Sequence, residues 1–353
     1  MQHSLLINLA FLIRKPTGLA TYAQNLIPHL QRLDPTLLVA EPQPQQTCYR
    51  LTAEMTAEQG RLGHLRRLVW TQFQLPHIYR QLQGRLLFSP LPEAPVWTGC
   101  RFVVTLHDLI PLRFPSLSRA LTVYQRYWLP QVLQQAEHIL CDSEATAADA
   151  KQFFQIPVQK LTPIPLACDH DHFRFLDLSQ RPYFLYIGRG DAHKNLVRLI
   201  RAFAQLGQSD TELWLAGPEV GSDLNSLIQE LQLPQRVKIL GYVTYDQLPI
   251  LLNQAIALVL PSLWEGFGLP VLEAMACGTP VITSHLSSLP EVAGDAALLV
   301  DPYRTEEIAA AMQLLLQDPQ LPEQLRQKGL ARSAQFTWAK TGAATCEVLE
   351  RFL

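Results

Sequence analysis

Short, continuously apolar runs alternate with longer stretches whose apolar residues recur at helical spacing, and this alternation runs through both halves of the chain. "SLLINLA", "LLFSP", "RFVVTLH", "HILCDS" and "LTPIPL" read as strands in the first half; "YFLYIG", "ELWLAG", "VKILGY", "ALVLPS", "PVITS" and "AALLV" do so in the second. Strands without in-out alternation are buried on both faces, so the pattern predicts an α/β protein with parallel sheets covered by helices. The stretch "ACDHDHFRFLDLSQRP" lacks either period and marks a junction. The predicted organisation is a Rossmann-like domain over 1–170, a second over 171–335 and a closing helix over 336–353 that returns to the first domain.

Parallel sheets bind ligands beyond the carboxyl ends of their strands. That rule selects His107-Asp108 after "FVVTL", "GRGDAHKN" after "YFLYI", "GYVTYD" after "VKIL", and "SLWEGFG" after "ALVLP". Two sheets with facing strand ends would enclose a cleft lined by these loops. The richest stretch is "PSLWEGFGLPVLEAMACGTPVI", with Glu265 and Glu273 eight positions apart. Carboxylates sharing one helix face stand three or four apart, so this pair spans two elements. Glu265 falls on a loop, Pro270 opens a helix that contains Glu273, and Gly278 stops it. The amides of Gly266, Phe267, Gly268 and Leu269 then stand at a helix N-terminus, which favours an anion such as phosphate.

Composition narrows the class. A chain of 353 residues with 48% hydrophobic content suits two buried cores. Six scattered cysteines show no C-x-x-C spacing, which argues for a reducing cytoplasm and against a disulfide framework or a zinc site. The apolar start "SLLINLAFLI" has no preceding basic segment and no following cleavage site, and reads as a first strand. No apolar run approaches the ~20 residues of a membrane span. The formal charge of −2 hides an asymmetry: residues 1–175 hold 16 Lys and Arg against 12 Asp and Glu, whereas residues 176–353 hold 13 against 19.

Arg189 and Lys194 suit a diphosphate, as a bidentate fork and a point charge, and Gly18 precedes an amphipathic helix where backbone can approach a phosphate. Asp169 and Asp171 have D-x-D spacing beside His170 and His172, but they lie in the junction, away from the strand ends. No metal site is expected.

Together these residues resemble the retaining glycosyltransferase family 4, of GT-B architecture. "PSLWEGFGLPVLEAMACGTPVI" followed by "SSLPEVAGDAALLVDP" is similar to its E-x7-E block. "GLATYAQNL", "VVTLHDLIPL", "FLYIGRGDAHKNL" and "FTWAKTGAAT" are similar to its glycine loop, histidine strand, diphosphate loop and closing helix, in the family's order. The resemblance implies two Rossmann-like domains facing a central cleft, with a nucleotide-diphosphate sugar as donor on the second and a saccharide or lipid-linked saccharide as acceptor on the first. It implies that Glu265 holds donor hydroxyls beside the amides of Gly266, Phe267 and Gly268, that Leu269 N–H meets phosphate, and that Glu273 holds the ribose diol. Arg189 and Lys194 would neutralise the diphosphate, Gly18 would close on it, His107 would reach the sugar, and the backbone at Val243 would read the base. No cofactor is expected, and no divalent metal, because Arg189, Lys194 and the helix N-terminus at Gly268 already supply positive potential to a diphosphate. His193 stands where some members carry an arginine before the Lys-Asn pair. "HDLIPL" and "HKN" are similar to mannosyltransferases, which points to GDP-mannose. A GT-B nucleotide-sugar epimerase and a catalytically silent nucleotide-sugar-binding partner are the alternative functions.

One surface adds a possible partner. From Arg61 to Arg85 the chain carries five arginines and no acid, interleaved with Leu65, Leu68, Val69, Trp70 and Phe73. Such a segment either lies on an anionic membrane face or packs its apolar side on the sheet with its arginines in solvent. Nothing in the composition suggests nucleic acid as a partner.

Overall fold

The structure is a computed structural model and describes residues 5–12, 18–42, 46–52, 55–56, 59–115, 120–207, 210–218 and 222–353. The chain divides into two compact units, Met1–Leu166 with Trp338–Leu353, and Ala167–Thr337.

The first unit holds seven strands: β1 (Leu5–Asn8), β2 (Thr36–Val39), β3 (Cys48–Arg50), β4 (Leu86–Ser89), β5 (Phe102–Leu106), β6 (His138–Cys141) and β7 (Leu161–Pro163). They form a sheet in the order β3-β2-β1-β4-β5-β6-β7, parallel throughout. The second unit holds β8 (Tyr183–Ile187), β9 (Glu212–Ala216), β10 (Val237–Gly241), β11 (Ala257–Leu260), β12 (Val281–Ser284) and β13 (Leu298–Val300), in the order β10-β9-β8-β11-β12-β13 and again parallel. Both are α/β sheets of the Rossmann type; the central strands β1, β4 and β11 are buried along their whole length and β8 in all but its last residue, as continuous apolar runs require. In each, the order reverses between two adjacent strands, β1 and β4 in one and β8 and β11 in the other. Chains leave such a pair in opposite directions and open a crevice there.

Two strands were not legible. Thr36–Val39 is only four residues, and Cys48–Arg50 is a three-residue edge strand with its side chains partly in solvent. Both are shorter than a period-based reading resolves.

The helix Trp338–Glu350 belongs to the first unit. Thr341 Oγ1 donates to the Pro165 carbonyl at 2.8 Å, and Trp338 lies 6.2 Å from the Tyr22 ring. A Cβ at Gly342 would stand 2.2 Å from His29 Cβ, so only glycine lets this helix approach so closely.

The helix Gly60–Phe73 corrects the reading that packs its apolar side on the sheet and leaves its arginines in solvent. Its inward face carries Arg67, 2% exposed, which forks onto the Glu93 carboxylate at 2.6 and 2.8 Å and donates to the Met55 carbonyl at 3.0 Å. Trp70 is buried beside it, while Leu65, Val69 and Phe73 point into solvent. The apolar side does not pack on the sheet, and the arginines do not all face water. The cause is Glu93, which supplies inside the unit a partner that local periodicity cannot reveal.

Candidate active site

In the second unit the two loops beyond the reversing strands β8 and β11 are stitched together. The backbone after β8 passes so close to the end of β9 that a Cβ at Gly217 would lie 1.8 Å from the Gly188 carbonyl oxygen, and Gly217 has φ +148°. Tyr186 Oη donates to the Arg189 carbonyl at 2.8 Å and fixes the next bend. The short turn Ala192–Lys194 ends at Asn195, whose left-handed backbone (φ 64°) turns its buried amide back to donate to the Pro261 and Pro302 carbonyls at 3.0 and 2.6 Å. Leu263 N–H donates to the His193 carbonyl at 2.7 Å. The result is an ion pair at the crevice: Lys194 Nζ stands 2.7 and 2.9 Å from the two carboxylate oxygens of Glu265, which is itself 7% exposed.

The Glu265 loop is held from below by two serines. Glu265 N–H donates to Ser287 Oγ at 3.0 Å, and the buried Ser288 hydroxyl faces the carbonyls of Glu265 and Phe267 at 3.1 and 2.8 Å. The loop then enters the helix Leu269–Ala276 through Gly268, whose φ of +107° only glycine adopts readily and whose added Cβ would stand 2.8 Å from Leu289 Cδ2. Among the described residues no acceptor meets the N–H groups of Phe267, Gly268 and Leu269. They add to the positive end of the helix dipole and are set to receive an anion.

Glu273 lies one turn further along this helix. Among the described residues nothing hydrogen-bonds or ion-pairs its carboxylate, and burial raises its pKa to about 7. Burial also raises the Cys277 thiol to about 12, with the Glu273 charge adding to the effect; Cys168 is pushed up by the same two causes in the same order, and Tyr245 by burial, then the Asp169 charge, then that of Glu273. Tyr245 stacks on His172 at 3.9 Å and 6° between planes, just after Val243, which is half-buried. Asp169 Oδ1 accepts the N–H groups of Asp171 and His172 at 3.0 and 3.3 Å, so the D-x-D stretch forms a capped turn. Arg189 stands largely in solvent, its Nε 3.6 Å from Asp191 Oδ2.

In the first unit His107 follows β5. Its Nδ1 lies 2.7 Å from Asp142 Oδ2 and its Nε2 2.7 Å from the Pro90 carbonyl oxygen, and Tyr22 meets the ring edge-on at 5.0 Å. A carboxylate and a carbonyl can only accept, so both ring nitrogens donate and the imidazolium is favoured. Burial pushes the His107 pKa down, but the Asp142 charge and hydrogen bond, the Pro90 carbonyl and Asp108 outweigh it, and the net shift is upward. Gly18 opens the helix Gly18–Leu26; a Cβ there would meet nothing within 4 Å among the described residues, and residues 13–17 before it lie outside them.

Lys194 and Glu265 are thus brought together, with Gly266, Phe267, Gly268, Leu269 and Glu273 following on one loop and helix. Asn195, Ser287, Ser288, Tyr186 and Asp142 were missed as supports. Only Asp142 had a signal: "CDSEAT" carries a helix-cap signature, and Ser143 does cap, accepting Thr146 N–H at 3.1 Å.

The chain matches two family models, "Glycosyltransferase Family 4" over residues 16–172 and "Glycosyl transferases group 1" over residues 169–332. It is 34% identical to the O-antigen chain mannosyltransferase B of Escherichia coli over 67% of this chain and 67% of that protein. It is 32% identical to the MMP alpha-(1->4)-mannosyltransferase of Mycolicibacterium hassiacum over 63% and 56%, and 30% identical to the O-antigen chain mannosyltransferase RfbU of Salmonella typhimurium over 61% and 61%. The match therefore spans less than two thirds of the latter two relatives. Among solved structures, sucrose-phosphate synthase from Thermosynechococcus elongatus superposes with a TM-score of 0.79 at 22% identity, covering 99% of this chain and 98% of that one. Anabaena HepE in complex with UDP-glucose superposes with a TM-score of 0.76 at 17% identity, covering 99% of each. The chain belongs to the group 1 glycosyltransferases and has the GT-B fold. Within that class its curated relatives include mannosyltransferases at about 30% identity.

Proposed function

We propose that the protein is a retaining hexosyltransferase that takes a nucleotide-diphosphate sugar, GDP-mannose first among candidates, and transfers the sugar to a saccharide or lipid-linked saccharide. The observation that carries this reading is the Lys194–Glu265 pair beside three N–H groups without acceptors, and upstream of a Glu273 without a partner, among the described residues. A nucleotide sugar has complementary chemistry in the same order: sugar hydroxyls, diphosphate, ribose diol. The three mannosyltransferase relatives support the choice of sugar.

Cleavage of the sugar-phosphate bond places negative charge on the leaving diphosphate. Lys194 and the N–H groups of Phe267, Gly268 and Leu269 are fixed before the reaction, so they stabilise that charge without reorganising. Arg189 adds a cation from the loop. In retention without a protein nucleophile, the acceptor hydroxyl attacks the face the diphosphate leaves, and a phosphate oxygen takes its proton. With this much positive potential supplied by the chain, transfer proceeds without a divalent metal. His107, Gly18 and the backbone at Val243 keep the sugar, phosphate and base roles that the family resemblance implies. The acceptor side extends to a peripheral contact of the first unit with the inner membrane face. Among the described residues no helix is long and apolar enough to cross a membrane.

The test incubates the protein with GDP-mannose, UDP-glucose, ADP-glucose and dTDP-glucose, each with and without an oligosaccharide acceptor pool and after exhaustive EDTA treatment. Acceptor-dependent release of GDP that survives EDTA supports the reading. Release of nucleotide and an epimerised free sugar without acceptor, or activity abolished by EDTA and restored by Mn²⁺, overturns it.

A further inference from the structure

Tyr186 stands in β8, just before the loop that carries Arg189 and Lys194, and it is 0% exposed. A phenylalanine would fill the same space. A tyrosine there buries a hydroxyl as well, and removing a hydroxyl from water costs free energy unless it is hydrogen-bonded. The Tyr186 hydroxyl finds its partner in the loop, donating to the Arg189 carbonyl at 2.8 Å. The fit is close: a Cβ on Gly188 would stand 2.6 Å from Tyr186 Oη, so the hydroxyl lies against the backbone that leads to Arg189. Burial, and after it the charges of Glu265 and Asp191, push the phenol well above its ordinary pKa. It therefore stays protonated, and a donor, at every working pH.

The far part of the loop has its own ties. Lys194 N–H donates to the Asp191 carbonyl at 2.9 Å, Asn195 N–H to the Ala192 carbonyl at 3.2 Å, and Leu263 N–H to the His193 carbonyl at 2.7 Å. With the Asn195 amide on Pro261 and Pro302, these contacts brace residues 191–195 and hold Lys194 against Glu265. Arg189 lies ahead of that brace, between Gly188 and Gly190. Glycine on both sides gives this stretch of backbone the most conformational freedom to lose on ordering. The Gly188 N–H donates to the Ala216 carbonyl at 2.9 Å and secures the near end. The Tyr186 hydroxyl secures the Arg189 carbonyl itself.

We infer that Tyr186 is a positioning residue for the donor diphosphate: by fixing the Arg189 carbonyl, its hydroxyl presets the direction in which the Arg189 side chain leaves the loop. This rests on the nucleotide-sugar reading and deepens it by separating the two cations. Arg189 depends on the Tyr186 hydroxyl, whereas Lys194 is held by the brace. Such preorganisation is read as affinity, because less ordering is left for the binding step.

The experiment titrates the full chain and three variants, Tyr186→Phe, Arg189→Ala and the double variant, with GDP and UDP by calorimetry and with guanosine and uridine by ligand-observed NMR. Phenylalanine keeps the buried ring, so the fold is retained. Wild type binds at least one of the two diphosphates. Tyr186→Phe weakens that affinity by about five- to tenfold, the size of one hydrogen bond, and leaves the matching nucleoside unchanged. Arg189→Ala also weakens the diphosphate, and adding Tyr186→Phe to it changes nothing further, because two changes that act through one contact are not additive. A hydroxyl that only stabilises the fold gives a different pattern, in which diphosphate and nucleoside weaken together and the double variant is additive. Either of those results overturns the inference, and so does Tyr186→Phe binding the diphosphate as wild type does. Wild type that binds neither diphosphate refutes the nucleotide-sugar reading itself, and this inference falls with it.

Discussion

Glu273 illustrates how a candidate site residue is tuned by what surrounds it. Its half-buried carboxylate meets no partner among the described residues, so desolvation favours the neutral acid and the pKa rises from 4.5 to about 7. A raised carboxylate contributes stability that is complete below the unfolded value, near 4.5, and is lost as pH climbs through about 7. A diol donating two hydrogen bonds favours the charged form instead. Nucleotide binding is therefore expected to release protons near pH 7 and to tighten between about pH 6 and pH 8, by at most tenfold per unit. Calorimetry in buffers of different ionisation enthalpy reads the released protons, and Glu273→Gln should make binding weaker and flat with pH; a wild-type affinity independent of pH would remove the assignment. Lys194 and Glu265 form the opposite case, a buried pair in which each needs the other. Lys194→Met leaves an uncompensated carboxylate and should cost about 3 kcal/mol in unfolding, while adding Glu265→Gln restores most of it without restoring turnover. Chemical denaturation of the two variants checks this. At His107 the sign is that of a cation: the upward shift contributes stability fully below the unfolded value of 6.5, lost as pH rises through the higher folded value. Asp142→Asn should abolish that alkaline loss, which pH-dependent melting of wild type and variant would show.

At the level of elements, strand-helix alternation and the Glu265–Glu273 spacing were legible because they are local: a buried parallel strand has to be continuously apolar, and a loop-to-helix entry needs Gly268 and Pro270 in order. What holds those elements in place was not legible. Asn195 reaches Pro261 and Pro302 across long sequence separations, Ser288 supports a loop some twenty residues earlier, and Glu93 turns the Gly60–Phe73 helix by capturing Arg67. These contacts are tertiary, and a one-dimensional period cannot register them. The same distinction predicts substitution effects. Gly217→Ala forces a Cβ to within 1.8 Å of a backbone carbonyl, so it should destabilise the second unit by about 3 kcal/mol or more, whereas Gly18→Ala meets nothing within 4 Å among the described residues and should leave stability within about 0.5 kcal/mol. If thermal melts place the two changes side by side, the close approach of the chain at Gly188 and Gly217 is not a constraint.

For the molecule as a whole, the last helix decides which unit a truncation harms. Trp338–Glu350 follows directly on the second unit in sequence, yet its buried side chains, Trp338, Cys346, Val348 and Leu349, lie in the first. Cys346 Sγ donates to the His29 carbonyl at 3.5 Å, and Arg101 Nη1 donates to the Phe352 carbonyl at 2.9 Å. Removing residues 338–353 withdraws several apolar side chains at about 2 kcal/mol each, a loss on the order of the 5–15 kcal/mol that holds a domain together. The strands of the second unit form their own sheet and lose none of their pairings. The expected outcome is that the truncated chain loses amide protection in β1, β4 and β5 while β8, β11 and β12 stay protected, and that GDP still raises the melting temperature of the surviving unit. Hydrogen exchange resolved by peptide measures both halves at once. Uniform loss across residues 167–337 would mean that the closing helix supports the whole chain and that the division into two separately stabilised units is wrong.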